Sequence, residues 1–355
     1  MRRERSIILL SALGLAAAGG CNGGRHTVMT GDPAEARARA LAVLHAAARD
    51  QDKHTRAEAV EAMADVLGSA AGSAYLSALD DSEPNVRFAA ALAVGDLKYA
   101  PALGRLEEMA RYRQPRAERQ LTVYCGVIYA LHRLGRTEHT SQLGKLLAHE
   151  GAVVRANAAM VLGRMGEPSA ARPLRARYRD EEDTVARLQM LESLARLGDA
   201  QALGELESNA REPFLLEKLL ALRAMGDLNS GRTRLVLQAI LTSRHEPPQA
   251  RVLAAGALAR LGTVSDHGYD LCLTSAGDPA GVIEAASGDH DPKTIDPVIV
   301  TTLQGLAARS LGWMKHTGAV DVLVDLLTSP DGGVRVAAAM SILRLLRQES
   351  ATGHR

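Results

Sequence analysis

Asn85-Val86-Arg87, followed by Ala89-Ala90-Ala91 and closed by Val94-Gly95, is the stretch on which the fold turns, because it recurs. It returns as Val154-Arg155, Ala158-Ala159-Met160 and Leu162-Gly163-Arg164-Met165-Gly166. It returns again from Ala186-Arg187 through Leu194 to Leu197-Gly198, and from Ala250-Arg251 through Ala254-Ala255 to Leu261-Gly262. Weaker copies end at Gly68, Gly135, Gly226 and Lys315, and a last one begins at Val334-Arg335. The period is about 31 residues, and a self-similar period of that size is the mark of a solenoid. Within each copy the apolar residues recur at three and four spacing, as in Ala158, Val161, Leu162 and Met165, which predicts a helix. Its Arg falls in the first turn, and Gly or a short polar residue ends it. A second helix then follows, for example over residues 100–112, 170–178 and 317–327.

Composition agrees with helices and excludes sheets. Of 355 residues only 3% are aromatic: two Phe, one Trp and seven Tyr, in a chain rich in Ala and Leu. Strands favour β-branched and aromatic side chains, whereas Ala and Leu head the helix scale. Small Ala side chains also let neighbouring helices approach closely. The 42 Lys and Arg against 41 Asp and Glu give a net charge of +1, which speaks against a dedicated nucleic-acid binder.

The first residues read as an address. Arg2, Arg3 and Arg5 precede an apolar run from Ile7 to Ala18, too short for a membrane span and suited to a secretory signal. The run closes on Ala18-Gly19-Gly20-Cys21, which resembles the lipobox of bacterial lipoproteins, with Ala18 in place of the usual Leu. That resemblance implies cleavage before Cys21, lipidation of Cys21, and export to a bacterial membrane. Asn22, not being Asp, directs such a lipoprotein to the periplasmic face of an outer membrane where the organism has one. The expected organisation is therefore a signal peptide over 1–20, a flexible tether over 21–31, the repeat solenoid over 32–348 and a tail over 349–355. An irregular insertion is expected at about 263–297, where the copies are spaced more widely.

The repeated unit resembles the HEAT repeat, in particular the short repeats of phycobilin lyase-like proteins. The resemblance implies an all-α fold, an α-solenoid of about nine helix pairs forming a right-handed superhelix. In that family an acidic residue upstream of the Arg links repeats in a ladder, and here Asp80 and Asp81 precede Arg87 while Glu181 and Glu182 precede Arg187. Tyr124, Leu215 and Gln304 stand at the Arg place in the third, sixth and eighth copies, which predicts a broken ladder there.

Catalytic signatures are absent from the sequence: it contains no HExxH, CxxC, GxSxG or GxxxxGK[ST]. Two His-Glu pairs, His149-Glu150 and His245-Glu246, resemble the iron-binding pairs of the HEAT-like deoxyhypusine hydroxylases. That family carries four such pairs inside helices, however, and these two precede helices in turns. Asp289, His290 and Asp291 offer oxygen and imidazole ligands to a cation, in a stretch that Gly288 and Pro292 make irregular. No cofactor is expected. Cys125 and Cys272 are expected as free thiols.

The tetrapeptide Ala-Arg-Tyr-Arg occurs at both 110–113 and 176–179, each time at the end of a second helix. Arg111, Tyr112, Arg113, Arg177, Tyr178 and Arg179, joined by Arg172 and Arg175, would form a basic-aromatic strip. Tyr and Arg are enriched at interface hot spots, so this strip is the expected contact for a protein partner. The function expected is a membrane-anchored extracytoplasmic scaffold that binds a protein partner along the concave surface of the solenoid. The alternative is a HEAT-like enzyme of hydroxylase, oxidoreductase or lyase type acting in the groove.

Overall fold

The computed structural model describes residues 29–111, 117–287 and 295–352. Cys21, the tether before residue 29, and the candidate ligands Asp289, His290 and Asp291 lie outside them, as do Tyr112 and Arg113. Among the described residues all regular structure is helical: α1 (Pro33–Ala47), α2 (Lys53–Val66), α3 (Gly72–Leu79), α4 (Pro84–Asp96), α5 (Leu103–Arg111), α6 (Glu118–Arg133), α7 (Gln142–Leu147), α8 (Ala152–Met165), α9 (Ala171–Arg179), α10 (Thr184–Arg196), α11 (Ala200–Asn209), α12 (Leu215–Met225), α13 (Gly231–Thr242), α14 (Pro248–Arg260), α15 (Asp266–Gly277), α16 (Pro279–Ser287), α17 (Pro297–Leu311), α18 (Val320–Leu326) and α19 (Gly332–Thr352). This is the all-α solenoid expected.

The chain forms two compact units. One is Arg56–Ala224; the described residues of the other are 29–55 and 225–352. In the first unit α4, α6, α8 and α10 stack in order, and α3, α5, α7 and α9 each pack on the stacked helix that follows them. In the second, α14, α17 and α19 stack, with α13, α15 and α18 against them.

Two kinds of glycine, which look alike in sequence, do different work. Gly68, Gly135, Gly166, Gly198 and Gly262 have positive φ and end the first helices. Lys98 (φ 48°) and Lys315 (φ 59°) hold the same place without a glycine's freedom. Gly95 instead lies inside α4, with Tyr129 packed on it, and Gly163 lies inside α8, where a Cβ would sit 2.7 Å from the Ser193 Cα. Replacing Gly166 by Ala is expected to cost about 1–2 kcal/mol in a thermal melt, since an L side chain strains that conformation. At Lys98 and Lys315 the same logic predicts that Gly is tolerated or raises the melting temperature.

The Arg repeat has a constant position. Arg56, Arg87, Arg155, Arg187, Arg251 and Arg335 are each the fourth residue of their helices. Where the ladder forms, the guanidinium meets a carboxylate six residues upstream of the next repeat's own Arg. Arg56 donates to Asp81 at 2.8 and 2.9 Å, and Arg155 to Glu181 at 2.7 and 2.6 Å. Arg155 also donates to the carbonyls of His149 and Glu150. Arg87 and Arg335 make the matching pair of carbonyl contacts in their own turns.

The sixth copy needs a correction. Lys218, rather than Leu215, is the fourth residue of α12 and stands eight before Gly226, as Arg155 does before Gly163. Lys218 is buried and Leu215 exposed, so this repeat keeps a cation at the Arg place. The three-residue slip arose because an apolar residue was aligned to a helix start whose first three residues are solvent-facing or half-buried.

The last helix finds its partner at the other end of the chain. Among the described residues α19 is the last helix, and α1 packs against it, burying Ala36, Ala40, Leu44 and Ala47. Arg335 of α19 meets Asp50, in the turn after α1, at 3.2 Å, which is the ladder step again across 285 residues of sequence. Thr30 donates to Asp321 of α18 through its backbone N–H (2.9 Å) and its hydroxyl (2.7 Å). A helix pair is thus assembled from both termini.

The expected insertion at 263–297 contains two helices, α15 and α16, among its described residues. Ser265 caps α15 by accepting from the Gly268 N–H, and Pro279 starts α16 with φ already set, so residues 266–287 are almost wholly helical.

Candidate partner-binding surface

Helix α9 carries most of the expected strip, and much of it is engaged within the fold. Leu174 and Tyr178, four apart, form the buried face. The Tyr178 hydroxyl donates to Glu205 of α11 and accepts from Arg187 at 3.0 Å. Arg187 and Arg175 lie over its ring, 4.5 and 5.6 Å from the centroid. Burial, and then the Glu205 carboxylate, push the phenol up to about 12. Arg175 pairs with Asp199 and, at 3.5 Å, with Glu205; Arg177 pairs with Glu181 at 3.3 Å.

Arg172 and Arg179 remain exposed and form no ion pair among the described residues. Arg111, at the end of α5, is exposed and 3.8 Å from Glu107. Tyr178→Phe should therefore act on the fold: it removes the donor to Glu205 Oε2, while Gln201 and Arg175 still meet Oε1, and should cost about 0.5–1.5 kcal/mol in urea unfolding.

One feature escaped sequence reasoning. Phe214, Leu215 and Leu216, at the start of α12, are 65%, 41% and 54% exposed. Neighbouring turns on one edge of a repeat stack lie about 10 Å apart, the helix-packing distance. The Arg155–Glu181 bridge shows that this edge is continuous from the turn before α8 to the turn before α10. Arg223 of α12 lies 4.0 Å from Glu192 of α10, so α12 neighbours α10, and the order of the repeats carries Arg179, exposed Arg211 and the apolar triplet along the same edge. Exposed Asp180, Glu182, Asp183 and Glu212 stand there too, so its charge is mixed. Three adjacent large apolar residues left in water are the unusual element. The available signal was the Phe itself, one of two in the chain, directly after Pro213.

The metal candidates that can be seen do not converge. The Nδ1 of His149 accepts from the Gly151 N–H at 3.0 Å, and the backbone carbonyls of His149 and Glu150 serve Arg155. His245 is exposed and Glu246 half-buried in the turn before α14. Among the described residues no group of three or more His, Cys, Asp or Glu side chains is placed to hold a metal ion. Cys125 and Cys272 are buried free thiols, and burial pushes the Cys125 thiol up to about 12.

The HEAT repeat model matches residues 40–125 and 122–195. The chain carries HEAT repeats. Among solved structures this HEAT-repeat chain is similar to human deoxyhypusine hydroxylase in complex with glycerol, at 14% identity over 88% of this chain and 97% of that one, with a TM-score of 0.36. No curated protein matches the chain.

Proposed function

We propose that this HEAT-repeat protein is a membrane-anchored extracytoplasmic scaffold, and that it holds a protein partner along the edge bearing Arg179, Arg211 and Phe214–Leu216. The exposed apolar triplet carries the reading. Burying a large apolar side chain is worth about 1.5–3 kcal/mol, so three of them can anchor an interface. The arginines flanking the triplet offer bidentate contacts to carboxylates and so fix register. Anchoring rests on Ala18-Gly19-Gly20-Cys21 and the apolar run before it.

The test is crosslinking in cells. Phe214→Asp with Leu216→Asp, and separately Arg179→Glu with Arg211→Glu, should each lose captured partner while leaving the melting temperature nearly unchanged, because all four positions are exposed. An unchanged set of partners in both variants rejects this edge. For the anchor, metabolic fatty-acid labelling should disappear in Cys21→Ala, and labelling that survives would rule lipidation at Cys21 out.

A further inference from the structure

Of the ladder steps that start from an Arg, one has no acid at the corresponding position, and a second Arg stands beside it. At Arg56, Arg155 and Arg335 the guanidinium is met by a carboxylate of the neighbouring repeat. Beyond Arg87 and Arg187 the sequence still provides Glu118 and Glu212 at the corresponding position. Beyond Arg251 that position is Val298, six before Gln304. There α17 starts early, with Pro297 as its first residue and Asp296 turned back to cap the Val298 N–H.

Arg251 is held differently from its counterparts. Pro247 and Pro248 begin α14, and the Arg251 Nε donates to the carbonyl of Leu241 at 3.1 Å in place of the usual two carbonyls of its own turn. One terminal nitrogen lies 3.2 Å from Nε2 of His267, which the loop 261–265 brings over it at the start of α15. Two of the five guanidinium N–H groups are thus engaged. Among the described residues no carboxylate pairs with Arg251. Burial, and then the like charge of Arg244 in the preceding turn, hold its pKa below the usual arginine value. The site is a half-buried fork of fixed direction, flanked by an exposed Arg and an exposed His.

We infer that Arg251, Arg244 and His267 form a binding site for a carboxylate supplied from outside the chain, which takes the place that Asp81, Glu181 and Asp50 take at the other steps. The planar guanidinium matches a carboxylate with two parallel hydrogen bonds, as Arg155 does with Glu181. Arg244 adds charge at the rim. The site belongs to the unit containing residues 225–352 and does not depend on the docking edge near Phe214.

Isothermal titration of the purified full chain with triglutamate, and separately with inorganic phosphate, at constant ionic strength tests the inference. Triglutamate should bind saturably at one site and about tenfold more weakly to Arg251→Gln, the loss expected for one pair of charge-assisted hydrogen bonds. Arg244→Gln should also weaken it, with the melting temperature retained because Arg244 is exposed. Should Arg251→Gln not fold, Arg244→Gln decides. Absence of saturable binding, equal affinity in Arg244→Gln, or binding of phosphate without triglutamate would each overturn the assignment.

Discussion

Glu181→Ala is expected to lower stability by about 3–5 kcal/mol, because it strands the Arg155 guanidinium in a buried place. The Glu181 side chain is fully buried and that of Arg155 is 9% exposed. Glu181 also accepts from the Asp183 N–H and lies 3.3 Å from Arg177, so one carboxylate links a ladder step, a turn and the end of α9. Replacing both partners with apolar residues of similar volume should cost far less, since the desolvated charge leaves together with its partner. Urea unfolding of Glu181→Ala against the Glu181→Leu, Arg155→Met double variant makes the distinction. Equal losses in the two would show that shape rather than charge holds this step.

The same carboxylate predicts an acid dependence. Burial alone would raise the Glu181 pKa, but the Arg155 fork, the Asp183 N–H and the charges of Arg155 and Arg177 together outweigh it, leaving the group below its ordinary 4.5. A carboxyl whose folded pKa is depressed contributes stability above its unfolded pKa and loses it as pH falls through the folded value. Asp81, lowered through Arg56 and the Glu83 N–H against the same opposing burial, acts with the same sign. Unfolding should therefore become easier as pH drops below about 4.5, and Glu181→Ala should show a shallower acid slope than the wild type.

Most of the architecture was legible because each repeat states the same physical requirements again. A first-turn Arg, a run of Ala and a left-handed terminator recur closely enough that the period stands out without an aromatic signature. What stayed hidden depends on three-dimensional neighbours. Gly95 and Gly166 read alike, yet one makes room for Tyr129 and the other ends a helix, and only the register of the adjacent repeat separates them. Lys98 and Lys315 take a glycine's place because the chain must still turn there, whatever side chain it carries. The duplicated Ala-Arg-Tyr-Arg suggested a surface, but a Tyr four residues from a Leu on a short amphipathic helix belongs to the buried face, and Tyr178 went there. The exposure of Phe214–Leu216 follows only from where α12 begins.

Leu44→Ala is the change expected to expose the least legible feature, the helix pair built from both ends. Leu44 is fully buried in α1, and cutting a buried Leu back to Ala costs about 2–5 kcal/mol. The location of the loss matters more than its size. Because α1 packs on α19, amide protection should fall across the early turns of α19, although nearly 300 residues of sequence separate the two. If α1 were merely a capping helix at the free end of an array, exchange would rise near residues 33–66 and leave α19 untouched. Asp50 and Arg335 provide an independent reading of the same contact. Their side chains are 28% and 26% exposed, so a double-mutant cycle with Asp50→Asn and Arg335→Gln should return a coupling of about 0.5–1 kcal/mol. Zero coupling, together with undisturbed protection of α19 in Leu44→Ala, would mean that the termini lie side by side without supporting one another. Positive coupling with loss of protection at both ends would make the N-terminal helix a working part of the last repeat, with Thr30 and Asp321 fixing the point from which the preceding chain departs.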